Sequence, residues 1–421
     1  MTTNAPVRTV EVRPPVRTRR RLNPLLGPAL VAAIAYVDPG NVATNLTAGA
    51  VSGYLLVWVV VAASLVAILV QYQAAKLGVA TGRSLPELCR ARFPRWGSRL
   101  LWLQAEVVVL ATDLAEFVGA AIGLRLLFGM PVALSALVTA AASLLLLELR
   151  RRGRTRRFEL MSAAALLLIG AGIGYDLLVV GHQSAGGLAE GLVPRFDGAE
   201  SLVLAMGIVG ATVMPHAVYL HSALVQGRGL SAARARRQPA RVRRAIRLDC
   251  TVGLGAATLV NISMIMLGAG LGAATGGGWT GDLFEAHGEL AGLAGGGAAL
   301  AFAIALLSSG VSSCGVGTLA GDIVMSGFLA RQVPLHLRRL LTMTPAVLAL
   351  LLGVPLTGLL ILSQVVISLG IPVALFLLVF FCRDRDTMGP LVNAPLTTTV
   401  AATAGAVVAA LGCSLPLLIL F

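Results

Sequence analysis

Apolar residues run through this chain in blocks separated by short polar or arginine-rich stretches, and many blocks reach the roughly 20 residues a helix needs to cross the hydrocarbon core of a bilayer. They fall at about 25 to 49, 53 to 78, 99 to 128, 131 to 149, 158 to 180, 199 to 226, 247 to 273, 297 to 328, 338 to 357, 358 to 382 and 396 to 420. The pattern predicts an all-α polytopic membrane protein with eleven transmembrane helices. Two blocks are cut in the middle. In the first, Asp38-Pro39-Gly40-Asn41 places a carboxylate, a proline and a glycine where charge and unpaired backbone are most costly in lipid, so the break must line a polar cavity or pack inside protein. The second is Met214-Pro215-His216, inside the stretch that starts near Leu202. Two interrupted helices in corresponding places point to the substrate site of a transporter. The broken spans are the first and sixth, so the first ten divide into two sets of five. Five being odd, the second set enters from the opposite side, which makes an inverted repeat of about 25–180 and 199–382 with an extra helix at 396–420.

Composition agrees with the pattern: 57% hydrophobic and 12% charged residues over 421 positions, with a mean hydropathy of +0.86, exclude a soluble protein of this length. The net charge of +14 raises the question of nucleic acid, and the placement of the basic residues answers it. Six arginines lie in the N-terminal tail, five between Arg83 and Arg99, six between Arg150 and Arg157, eight between Arg228 and Arg247, three between Arg331 and Arg339, and two at Arg383 and Arg385. They occupy alternate loops and mark the cytoplasmic side, with the N-terminus inside and the C-terminus outside. Residues 1–23 read as a disordered basic tail and 24–421 as a single transmembrane transporter domain. Ala33-Ile34-Ala35 after a basic start looks like a cleavable leader, but cleavage there would destroy the Asp38 site and is not expected. One lysine against 32 arginines points to a GC-rich bacterial genome. The five cysteines, Cys89, Cys250, Cys314, Cys382 and Cys413, form no Cys-x-x-Cys pair and read as packing residues rather than a zinc site or disulfide framework.

Asp38 offers an anionic oxygen, Asn41 a neutral one, and the broken helix frees carbonyls such as that of Ala35. These hard ligands suit almost any divalent cation. Met214 narrows the choice, because a thioether is soft and favours transition metals over Mg²⁺ or Ca²⁺. A lone methionine in an apolar span usually packs the core; beside Pro215 and opposite a second broken helix, the ligand reading is stronger. The third span carries Glu106, Asp113 and Glu116 within a roughly 80° arc. Intramembrane carboxylates face the protein interior and either pair with cations or relay protons, and Arg338 and Arg339 supply the cations. A static ion network and a proton route are both open at this point. His216 can hand on a proton near neutral pH, whereas His221 is expected to pack or hydrogen-bond. Asn261, Ser263 and the serines from Ser308 to Ser313 with Thr318 read as interhelical hydrogen bonds, and Asp282, Glu285, His287 and Glu289 as a solvated acidic loop.

Asp38-Pro39-Gly40-Asn41, Gly210 to His216 with Tyr219-Leu220-His221-Ser222, and Ala111-Thr112-Asp113-Leu114-Ala115-Glu116 resemble the signature segments of the Nramp transporters. So do Lys76-Leu77-Gly78 with Thr81-Gly82-Arg83, Gly317-Thr318-Leu319-Ala320-Gly321, and Ser363-Gln364-Val365-Val366. The resemblance runs in order from about Leu25 to Phe381. It implies the fold named for the bacterial leucine transporter and proton-coupled uptake of divalent transition metals such as Mn²⁺ and Fe²⁺, with Cd²⁺-like ions also accepted. It places the metal on Asp38, Asn41, Met214 and the carbonyls of Ala35 and Ala211, adding Gln364 in some conformations. It favours the proton route, from His216 and Asp38 through Glu116, Asp113 and Glu106, with Arg338 and Arg339 alongside. The chain departs from the family pattern at Asn45, where Asp is common, at Ala217, and at Val311, Asp322 and Ser326 in the eighth span. These bear on the proton route and rate, since none is a principal ligand. No enzyme activity and no cofactor are expected; the expected partners are the divalent ion, protons and the bilayer, with the chain acting as a monomer. The competing readings are an Nramp-related Mg²⁺ carrier, which lacks the methionine; a non-transporting sensor of the same fold, which carries a large cytosolic extension; and a sodium-coupled amino-acid carrier.

Overall fold

The computed structural model describes residues 27–151, 155–181, 183–226, 232–276, 278–331 and 333–420. The expected basic tail lies outside them. The described residues are almost wholly helical, with no strand among them, as a chain in lipid must be if every backbone group is to be satisfied within its own segment. The first block is split into α1 (Pro28–Ala35) and α2 (Pro39–Ser52), followed by α3 (Val57–Thr81), the short α4 (Leu85–Arg92), α5 (Arg95–Phe128), α6 (Val132–Arg151) and α7 (Thr155–Val180). A short α8 (Ala185–Glu190) leads to the second split pair, α9 (Gly198–Thr212) and α10 (Pro215–Leu224). Then come α11 (Ala232–Arg237), α12 (Pro239–Ala274), α13 (Leu283–Ala294), α14 (Gly296–Leu329), α15 (Leu335–Leu351), α16 (Leu356–Cys382), α17 (Arg385–Met388) and α18 (Pro395–Leu420). Eight of these segments, counting α9 with α10 as one, are long and apolar enough to cross a membrane, and each of the eleven expected blocks coincides with a helix or a helix pair.

The element boundaries fall where caps and prolines decide them. The first break is not Asp38-Pro39-Gly40-Asn41 itself but Tyr36-Val37-Asp38 just before it. Pro39 sits at the first helical position, where its missing N–H costs nothing and its fixed φ suits a helix start, and the Asp38 carboxylate caps α2 by accepting from the Asn41 N–H at 2.8 Å. Likewise Met214 is the N-cap of α10, and Pro215 and His216 are already in its first turn. The region expected as a solvated acidic loop is mostly helix, and this corrects that reading: α13 starts at Leu283 because Asp282 accepts from the N–H groups of Phe284 and Glu285. Asp282 also accepts from the Thr357 hydroxyl at 2.7 Å, while the Leu283 N–H donates to that hydroxyl and Thr47 donates to the Gly281 carbonyl.

The broken helices lie at the centre of the bundle. α2 packs on α12, α9 and α16, and α10 on α3, α14, α16 and α1, so every residue from Val31 to Gly49 is buried. α5 lies along α14 on one flank. α6, α7 and α18 are peripheral, with side chains such as Leu137, Leu167 and Leu178 at 68%, 74% and 83% exposure on surfaces that belong against lipid.

Candidate functional site

Both breaks free the same backbone atom for the same reason. In a continuous helix the carbonyl of residue i accepts from the N–H of residue i+4. The residue four after Ala35 is Pro39, and the residue four after Ala211 is Pro215; proline has no N–H. The Ala35 and Ala211 carbonyls are therefore released from their helices, and the repetition of Ala-x-Val-x-Pro at the two breaks is a signal that sequence reading had missed. The Asn41 amide nitrogen takes the Ala211 carbonyl at 2.6 Å and so joins the breaks. The next carbonyls, of Tyr36 and Val37, are met by Asn261 at 3.0 Å and Ser309 at 2.6 Å, so Asn261 braces the unwound segment.

Asp38, Asn41, Ala211, Met214 and Gln364 are all at 0% exposure and Ala35 at 1%. The Gln364 amide nitrogen, from the middle of α16, donates to the second Asp38 oxygen at 3.3 Å, and Gly40 is what admits it: a Cβ on Gly40 would lie 1.6 Å from that nitrogen. Hydrogen bonds thus connect Asp38, Asn41, Ala211 and Gln364 directly. Met214 and Ala35 sit three residues from Ala211 and Asp38 at the tips of the same joint. The donor set is one carboxylate, two amides, a thioether and two carbonyls. Among the described residues no group of three or more His, Cys, Asp or Glu side chains is placed to hold a metal ion. A single charge with neutral and soft neighbours is suited to an ion that must also leave.

A second set of residues starts two positions after Met214, in the first turn of α10. His216 Nδ1 lies 3.2 Å from the Thr112 hydroxyl, whose one hydrogen goes to the Val108 carbonyl at 2.9 Å. Nδ1 therefore carries the proton and donates, which leaves Nε2, buried and without a partner, as the acceptor of the neutral ring. Thr112 adjoins Asp113, which pairs with Arg339 at 2.8 Å, and further along α5 Glu106 pairs with Arg338 at 2.8 Å. Arg338 also donates to the Gly321 carbonyl, and a Cβ on Gly321 would lie 2.2 Å from its guanidinium, which accounts for the second glycine of Gly317-Thr318-Leu319-Ala320-Gly321. Glu116 differs from the other two acids, because both its oxygens are buried and neither has a hydrogen-bond partner. His221, as expected, hydrogen-bonds: its Nδ1 meets the Gln71 side-chain oxygen at 2.9 Å, and the Gln71 nitrogen donates to the Tyr36 hydroxyl at 2.6 Å.

Two buried acids were missed. Asp249, in the first third of α12, accepts from the N–H groups of Gly27 and Ala29 at 3.1 Å each and fixes the entry to α1; an acid just after a run of eight arginines was its only signal. Asp176, in α7, is fully buried with no hydrogen-bond partner for either oxygen. Three of the departures lie on α14: Val311, Asp322 and Ser326 are half-buried there, and the Ser326 hydroxyl is spent on the Asp322 carbonyl.

Comparison with known proteins agrees with this architecture. Residues 29–418 match the family described as natural resistance-associated macrophage protein-like, Nramp. A protein of Deinococcus radiodurans named divalent metal cation transporter MntH is 47% identical over 375 residues, covering 89% of this chain and 85% of its own. Its namesake in Bacillus subtilis is 43% identical over 385 residues, covering 91% and 90%. Among solved structures, the Eremococcus coleocola manganese transporter superposes with a TM-score of 0.83 at 29% identity, covering 94% of this chain and 87% of that one. MhsT in complex with L-phenylalanine, at 14% identity and a TM-score of 0.65, shares the fold alone. The chain belongs to the Nramp family, whose members are membrane transporters and not enzymes.

Proposed function

We propose that this protein is a proton-coupled secondary transporter that imports divalent transition-metal ions, Mn²⁺ and Fe²⁺ with Cd²⁺-like ions also accepted, across the cell membrane of a bacterium. The observation that carries the reading is the joint itself: two helix breaks meet on the Asn41–Ala211 hydrogen bond, with Asp38 at one tip and Met214 at the other. Names of the relatives support a divalent metal as cargo. Asp38, Asn41, Met214, Gln364 and the carbonyls of Ala35 and Ala211 hold the ion, with Met214 turning the site away from Mg²⁺ and Ca²⁺. Eleven crossings with the N-terminus inside, and two inverted repeats of five, put this site near the middle of the bilayer. The test is uptake by proteoliposomes with Mn²⁺ or Mg²⁺ outside and a pH dye inside. Mn²⁺ should enter and acidify the lumen. Mg²⁺ entering equally well would sink the substrate assignment, and Mn²⁺ uptake without acidification would sink the coupling.

Proton transfer is assigned to His216, Asp38, Glu116, Asp113 and Glu106. Glu116 is assigned the transfer step because its oxygens have no hydrogen-bond partner, whereas Asp113 and Glu106 are paired with Arg339 and Arg338. Glu116→Gln should leave Mn²⁺ affinity near that of the parent and reduce metal-driven acidification. Unchanged proton flux in that variant would make α5 a static ion network.

A further inference from the structure

One missing atom fixes the orientation of two side-chain amides at the joint. The Ala211 carbonyl can only accept, so the Asn41 atom 2.6 Å from it is the amide nitrogen. The Asn41 oxygen then points one turn along α2, where the Asn45 nitrogen donates to it at 3.3 Å. The Asn45 oxygen ends this ladder, fully buried and without a partner. Asn45 is placed to stabilise Asn41 in either of two orientations, because an amide both donates and accepts.

We infer that Asn45 is a positioning residue that lets Asn41 turn over when a metal ion enters the joint. This rests on the metal site proposed above. As it stands, the Asn41 nitrogen occupies the Ala211 carbonyl, and a cation tolerates no N–H in either position. For both oxygens to reach the ion, Asn41 must rotate by half a turn about its terminal torsion, which is broad and roughly two-fold. Its nitrogen then faces Asn45 and needs an acceptor in a place with no water. A matching half-turn of Asn45 supplies one, its now unpartnered oxygen. One amide group is unpaired before the exchange and one after, so the turnover costs little within the ladder while the ion gains two oxygens. Thr44, whose hydroxyl is also buried and unpartnered, lies one position away on α2 and leaves that end of the ladder polar.

The test is a double-mutant cycle read by Mn²⁺ titration calorimetry on the full-length protein in detergent. Asn45→Leu keeps the shape of Asn but takes the donor from the Asn41 oxygen in the metal-free state and the acceptor from the Asn41 nitrogen in the ligated one; a buried orphan N–H costs more than an under-used carbonyl, so Mn²⁺ Kd should rise by about threefold. In an Asn41→Ala background the same change should have no effect. Asn45→Asp accepts only, so it should hold Asn41 turned towards the ion and lower Kd, by more with Asn41 present than with Asn41→Ala. Asn45 effects of equal size in both backgrounds would overturn the inference, since Asn45 would then act on the ion without Asn41; so would an unchanged Kd in both variants. Thermal unfolding without metal identifies a variant that merely folds poorly, and the Asp variant carries the test if the Leu variant does. If Asp38→Asn binds Mn²⁺ as the parent does, the metal site itself fails, whatever the ladder shows.

Discussion

At the first break the chain reads Ala35-Tyr36-Val37-Asp38-Pro39, and at the second Ala211-Thr212-Val213-Met214-Pro215. The backbone is used identically: the proline opens the second half-helix, the residue before it is the N-cap, and the alanine four back loses its intrahelical donor. The side chains at the N-cap position are opposites in hardness and charge. Asp38 caps its own helix with one oxygen, keeping that oxygen fixed. Met214 has no side-chain cap bond, so its sulfur is free of any local duty. The duplicated backbone supplies neutral oxygens from both halves, while charge comes from one half and softness from the other. Affinity and selectivity can therefore be altered separately.

The largest effect should come from the charge. Asp38→Asn keeps a capping oxygen and removes the negative charge, so Mn²⁺ affinity measured by calorimetry should fall by about 100-fold or more with little change in thermal stability. A loss of stability equal to that of a helix-cap deletion, with affinity retained, would make Asp38 a cap only. Met214→Ala should act next and unevenly. Cd²⁺ affinity should fall by about one to two powers of ten, Mn²⁺ by less, and Ca²⁺ hardly at all, so excess Ca²⁺ becomes an effective competitor of Mn²⁺ uptake. Identical competition curves for parent and variant would return Met214 to the hydrophobic core. Pro215→Ala should act least and on every ion alike. It restores an N–H that can reclaim the Ala211 carbonyl, so affinity should drop by about tenfold or less while the unfolding temperature stays the same or rises, because proline disfavours a continuous helix. A fall confined to soft ions would mean the proline acts through Met214 and not through the carbonyl.

Much of this was legible in the order of apolar blocks. Lipid leaves the backbone few alternatives, so α3, α5, α12 and α16 appear close to where hydropathy places them. Asp38, Asn41 and Met214 could be singled out because a carboxylate, an amide or a proline-flanked thioether at a break in an apolar run seldom serves packing alone. Contacts between distant segments were not legible. Nothing near Asp249 in the sequence indicates that it holds the Gly27 and Ala29 N–H groups 220 residues away, and Asp176 sits in a run whose hydropathy hides one carboxylate. The difference between Glu116 and its neighbours was likewise invisible: all three acids share a helix face, and only packing against α14 and α15 decides which two receive an arginine. Asp282 was misread because four titratable residues close together look like a loop, whereas an aspartate just before Leu283-Phe284-Glu285 is a helix start.

Asp282 also bears on the equilibrium between conformations. Three hydrogen bonds converge on residues 281–283: Thr47 from α2, and two through Thr357 of α16. When the ends of α2 and α16 part on that side, residues 281–283 can stay with only one of them, so such a state gives up either the Thr47 bond or the two bonds of Thr357. At a net worth of about 1 kcal/mol each, these favour the closed arrangement by roughly five- to thirtyfold. An ion that had to enter from that face would find the open fraction lowered by that factor, and its apparent affinity with it, before any ligand in the joint is considered.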